Sequence, residues 1–207
     1  MKRASYSYQP SLGHGLPHDP FSSIVGPRPI GWISSRSANG VLNLAPYSFF
    51  NAFNYKPPII GFSSVGHKDT LSNIEETGEF AWNLVTADLL EDMNQTSAPL
   101  PPEQSEFSFA GLTPLDSDLI AVPRVLESPV TFECRKTSIS QLITKEGEKI
   151  QSWLVLGEVV MVHIAKDLLE NGIYNTGNAG HILRGGGPAD YFSIGPEQLI
   201  QLGRPTL

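Results

Sequence analysis

A single cysteine, Cys134, stands among the 207 residues. That excludes an internal disulfide framework and every multi-cysteine zinc or iron–sulfur arrangement, and it suits a reducing, cytoplasmic compartment. Charge is also sparse: Asp, Glu, Lys and Arg make up 17% of the chain, against roughly 25% in a typical soluble protein. A surface short of charge is one that a second subunit can cover, so a homodimer is expected. The charges present are 14 basic and 21 acidic, net −7, and no Lys/Arg cluster offsets them. Nucleic acid and anionic membrane surfaces are therefore disfavoured as partners. Long hydrophobic runs are missing too. Residues 153–164 form the longest apolar stretch, too short to span a bilayer and interrupted by Glu158 and His163. After Met1-Lys2-Arg3 the chain is polar and broken by Pro and Gly, so no export signal is expected.

What is present points to a packed, turn-rich chain: 40% hydrophobic residues with 19 Gly and 17 Pro. One domain, 1–207, is expected, with an irregular N-terminal arm over 1–20 where Pro10, Gly13, Gly15, Pro17 and Pro20 deny regular structure. Asn39-Gly40 between alternating apolar residues predicts a hairpin over 29–50, with Ile30, Trp32 and Ser34 on one face and Gly31, Ile33 and Ser35 on the other. Pro46 places the second strand at an edge, because it has no N–H to donate. A strand follows over 59–65. A short helix is predicted over 68–77, capped by Asp69 or Thr70 and stopped by Gly78. A further strand covers 79–85, and a second helix headed by Thr86 turns Leu89, Leu90 and Met93 inward. Val130, Phe132 and Cys134 alternate with Thr131, Glu133 and Arg135 as a half-buried strand, whereas 150–164 is apolar on both faces and belongs at the centre of a barrel. The tail, 171–207, shows little periodicity. Strands outnumber helices, which favours a mainly β antiparallel barrel with short helical inserts.

Most searches for chemistry fail. His14 and His18 are separated by Gly15 and Pro17, so no shared helical ligand face forms, and no metal site is expected. His163, in an apolar strand, reads as a core or interface histidine with one nitrogen satisfied. Gly185-Gly186-Gly187 lacks the strand and helix that would make it a dinucleotide fingerprint. The 61–66 stretch has its second Gly one position too late for a nucleophile elbow. Cys134 reads as a small buried hydrophobe.

Chemistry gathers between residues 43 and 74. A strand carrying Ser63 and Ser64 out of the core, a turn at Gly66, and Lys68 and Thr70 at a helix N-terminus bring hydroxyls, free N–H groups and a lysine together. A phosphate dianion needs that combination. The alternative is a well-capped helix with a solvated lysine. Upstream, residues 47–53 combine aromatic rings with Ser48 and Asn51, suited either to core packing or to a planar amphipathic ligand. The two segments together suggest flavin mononucleotide, FMN.

The motifs PRPIGWIS at 27–34, Asn39-Gly40, NLAPYSFFN at 43–51, Phe62-Ser63-Ser64 and KDTLSNI at 68–74 resemble, in order, those of the flavin reductase-like, FMN-binding split-barrel family. The likeness resumes at Leu156-Gly157-Glu158-Val159 and at Arg184-Gly185-Gly186 through Tyr191. It implies an antiparallel Greek-key split β-barrel and a homodimer with FMN near the subunit interface. It further implies that Tyr47, Ser48, Phe49, Asn51 and Ala52 hold the isoalloxazine, that Ser63, Ser64, Lys68, Asp69 and Thr70 surround the phosphate, and that Arg28 and Arg184 occupy family-like positions. Many short-chain reductases of this family carry a histidine a few residues before the glycine matching Gly157; here the stretch reads Gln151-Ser152-Trp153. The expected activity is reduction of flavin by NADH or NADPH, with no protein acid or base required. The alternatives are an FMN-bound electron carrier without nicotinamide reductase activity, and a non-catalytic flavin-binding module.

Overall fold

The computed structural model describes residues 3–205; Met1 and Lys2, weighed above as the start of an export signal, lie outside the described residues. The N-terminal arm is irregular apart from one 3₁₀ turn and leads into α1 (Phe21–Ile24) and the short β1 (Arg28–Pro29). The predicted hairpin follows as β2 (Gly31–Arg36) and β3 (Leu42–Tyr47), with Gly40 at the turn in the left-handed region, φ 89°. Pro46 pairs with Trp32 on β3, which is the outermost strand of its sheet, as its missing N–H requires.

Residues 47–53, read as a polar-aromatic segment after a strand, contain a strand of their own, β4 (Phe50–Tyr55). It pairs with β5 (Pro58–Val65). Its outer positions are exposed from Asn51 to Tyr55, so no alternation marked it in the sequence. The chain continues through α2 (Asp69–Thr77), β6 (Glu79–Asn83), α3 (Leu90–Gln95), α4 (Glu106–Phe109), the two-residue pair β7 (Pro114–Leu115) and β8 (Arg124–Val125), then the long β9 (Val130–Ile143) and β10 (Lys149–Ile164). Seven strands form one sheet in the order β3-β2-β6-β9-β10-β5-β4, all neighbours antiparallel, left open between β3 and β4. β10 lies between β9 and β5, the central place its two apolar faces require. The tail is more ordered than its sequence suggests. A minor hairpin, β11 (Leu169–Glu170) and β12 (Ile173–Tyr174), precedes β13 (Ile182–Gly186) and β14 (Asp190–Ser193), which join β1 in a second sheet.

Two cores result. Ile33, Phe62, Leu71, Ile74, Phe80 and Val155 fill the inside of the large sheet. Trp32, on the opposite face of β2, packs with Leu44, Leu89, Met93 and Phe107 beneath α3 and α4. Two sequence expectations need correction. Strand β9 is buried on both faces near its start: Thr131 and Glu133 are covered, because the segment around 116–123 lies over them. Glu133 survives burial by accepting the Asp118 N–H at 2.8 Å, the Leu119 N–H at 2.7 Å and a 2.7 Å contact with His163 Nε2. Helix α2 is preceded by Lys68 at the cap position, so neither Asp69 nor Thr70 caps it, and no side chain does. Gly78 ends it in the left-handed conformation as expected, φ 75°. Among the described residues no helix is long and apolar enough to cross a membrane.

Candidate functional site

Strand β3, the start of α2 and the 96–100 segment enclose a cavity of about 340 Å³. Four of the sequence-predicted residues line it: Tyr47, Lys68, Asp69 and Thr70. Tyr47 is only 6% exposed; burial pushes its pKa up, against the opposing influence of the nearby Thr70 and Ser64 hydroxyls, and by hydrogen-bond geometry its hydroxyl has no partner among the described residues. A buried phenol without a partner costs about 1–3 kcal/mol, so a ligand that accepts from it regains that energy. Thr70 is buried and its Oγ1 accepts the Asn43 Nδ2 donor at 2.8 Å, which leaves its own O–H free to donate. Lys68 is exposed and forms no ion pair among the described residues. The first N–H groups of α2 have no intrahelical acceptor and no side-chain cap, so the positive end of the nine-residue helix opens here.

The remaining predicted residues are distributed differently. Ser63 and Ser64 sit on opposite faces of β5 and do not converge, since successive side chains alternate. Ser64 is fully buried and donates to the Gly66 carbonyl at 2.9 Å, whereas Ser63 Oγ lies 3.1 Å from Ser152 Oγ. The expectation that both are carried out of the core is thereby corrected. Asn51 and Ala52 lie on the exposed edge strand β4, where the Ala52 N–H donates to Asn51 Oδ1 at 2.8 Å. Arg28 and Arg184 are cross-strand partners on β1 and β13. Arg28 donates to the carbonyls of Ser48 at 2.8 Å, Val25 at 2.6 Å and Ser22, and its guanidinium lies over the Phe49 ring. Arg184 donates to the carbonyls of Gly186, Gly187, Pro188 and Asp190. Both arginines therefore staple backbone. A smaller cavity of about 150 Å³, which shares Pro46 and Tyr47 with the first, is lined by Ser48, Arg184, Tyr191 and Met93.

Sequence reasoning missed three contributors. Asn43 connects Thr70 to Ser35, and Asn73 joins them by donating to Ser35 Oγ at 3.1 Å, so a buried amide network fixes the Thr70 hydroxyl. Asn43 stood inside a quoted motif, but polar residues on a strand carry no sign of which face they occupy. Glu106 enters the cavity from α4, buried and far away in sequence. The Leu44 N–H donates to its Oε2 at 3.0 Å.

Residues 25–182 match the profile of the flavin reductase like domain. An uncharacterised protein of Halalkalibacterium halodurans is 38% identical over 189 residues, 88% of each chain. Nitrilotriacetate monooxygenase component B from Bacillus cereus superposes with a TM-score of 0.85 at 33% identity, over 97% of this chain and 100% of that one. A split-barrel protein of the flavin reductase type from Shewanella frigidimarina superposes with a TM-score of 0.79 at 24% identity, over 89% and 90%, which shows the fold.

Proposed function

The chain belongs to the flavin reductase-like family and has its split-barrel fold, and on that premise we propose that it is an FMN-dependent oxidoreductase that accepts reducing equivalents from NADH or NADPH. The observation that carries this reading is the unpartnered Tyr47 phenol in a cavity shared with Lys68, Thr70 and the uncapped start of α2. These groups suit a phosphate monoester: a phenol and a hydroxyl that donate, a cation without a counter-ion, and a helix N-terminus.

Lys68, Thr70 and Tyr47 would hold the phosphate, and residues 48–52 would flank the ring system. The serines of β5 have a supporting part, because their hydroxyls are engaged elsewhere. Hydride acceptance and onward electron delivery are the chemistry that FMN supplies when bound. The chain's own residues bind and orient: the amide network sets the Thr70 hydroxyl, Arg28 ties Ser48 to the turn before β1, and the Phe49 carbonyl is held by the Ser63 N–H at 2.9 Å. One observation favours an electron carrier as the second reading. Ser152, in the stretch where the family resemblance implies a histidine, is turned toward Ser63 and offers no ring to a nicotinamide.

Titration with FMN, FAD and riboflavin tests the cofactor. FMN should bind best, and Lys68→Ala should weaken FMN about 10- to 100-fold, the worth of one charge-assisted hydrogen bond, with little effect on riboflavin. Equal losses for both ligands would remove the phosphate assignment. Anaerobic mixing with NADH and NADPH then separates the two readings: bleaching supports the reductase, and a flavin that only dithionite reduces supports the carrier.

A further inference from the structure

Glu106 opens α4, and its carboxylate reaches back to β3, where the Leu44 N–H is the one hydrogen bond it receives from another residue among those described. It is 8% exposed and faces the 340 Å³ cavity. The charged and titratable groups opposite it are Lys68 and Asp69 at the start of α2 and Tyr47 on β3, while the 96–100 segment contributes Thr96, Ser97, Ala98, Pro99 and Leu100 and no charge. With both carboxylates ionised, the lining carries two negative charges against one positive. A phosphate dianion entering that space makes a third anionic group, and anions crowded into a shared site do not all stay ionised.

We propose that Glu106 takes up a proton when FMN binds and, as the neutral acid, donates a hydrogen bond to the phosphoryl group, so that flavin binding is proton-coupled. This rests on the FMN reading above. Glu106 is the group that takes the proton because it is buried, whereas Asp69 is exposed and lies at the positive end of α2. Burial pushes the Glu106 carboxyl above its ordinary range; the Leu44 N–H opposes this and the nearby Asp69 charge adds to it. The free phosphate monoester has its second pKa near about 6, so at neutral pH the ligand arrives as the dianion and the proton must come from solvent.

Calorimetric titration at pH about 7.5, repeated in buffers of different ionisation enthalpy, counts that proton. Wild type should take up about one proton per FMN and none per riboflavin, and its FMN affinity should fall by up to about tenfold per pH unit above neutrality. Glu106→Gln keeps an acceptor for the Leu44 N–H and should bind FMN without proton uptake. Zero uptake by wild type, or equal uptake by wild type and Glu106→Gln, overturns the proposal alone. Wild type that binds no FMN overturns the flavin reading and this proposal with it.

Discussion

Glu133 shows how a single side chain can be expensive to bury and still stabilise the fold. Burial pushes its carboxyl up, but the N–H groups of Asp118 and Leu119 together with His163 outweigh that and leave it below its ordinary value. A carboxyl with a lowered folded-state pKa contributes stability that is present above its unfolded value and is lost as pH falls through the folded one. Urea midpoints should therefore drop from neutral pH toward pH about 3. Glu133→Gln should be less stable by about 1–3 kcal/mol at neutral pH, with a flatter acid limb; an unchanged acid limb would show that other carboxyls dominate. Ser152 carries a functional prediction. Placing an imidazole there adds a donor for a nicotinamide, worth about 1–3 kcal/mol or roughly 5- to 150-fold in rate. Ser152→His should thus raise the rate of flavin reduction by NAD(P)H in stopped flow and leave FMN affinity unchanged. These effects belong to side chains whose neighbours are remote in sequence, and Glu133 is the clearest example. Its place in an alternating strand was legible, but its burial depended on a loop arriving from 15 residues upstream.

At the scale of elements, helix α2 was the most legible part of the site. Leu71 and Ile74 one turn apart, a Gly stop and a lysine before the first turn define it locally, and the structure differs only in which residue occupies the cap. Strand β4 was not legible, since an edge strand that buries only Phe50 has no period to read. Strand β10 adds a constraint that appears only when sheet and core meet. A Cβ on Gly157 would lie 2.4 Å from Phe80 Cε1 and 2.5 Å from its Cζ, and Phe80 is fully enclosed. Gly157→Ala should lower unfolding free energy by about 1–3 kcal/mol, measured in urea, because the ring can move only by displacing its own neighbours. Wild-type stability in this variant would mean that the β10 backbone yields instead.

For the whole molecule, Phe53 and Tyr55 on β4 and Val65 at the end of β5 are 55%, 83% and 61% exposed. A chain with few charged residues and an apolar edge strand of this kind is expected to pair, and a stable homodimer would cover upwards of about 2,000 Å². Light scattering at micromolar concentration should give twice the chain mass, and Phe53→Asp should shift the particle toward the monomer. A wild-type monomer that retains FMN would end the dimer proposal.

Local chemistry was written plainly in the chain: the Asn39-Gly40 turn, the edge position of Pro46, the glycine stop of α2 and the central apolar strand β10 each follow from a residue's own backbone preference or from a short period. Composition likewise argued against a disulfide framework and against partners that need a basic surface. Only the tertiary structure decided which face each polar residue occupies. It separated Ser63 from Ser64, turned Arg28 and Arg184 into backbone staples, and brought Glu106 to the cavity that Lys68 and Thr70 line. The reason is physical: turn and helix signals act over a few residues, whereas the burial of a hydroxyl or carboxylate is set by whatever strand or loop packs over it, and that neighbour is specified elsewhere in the chain.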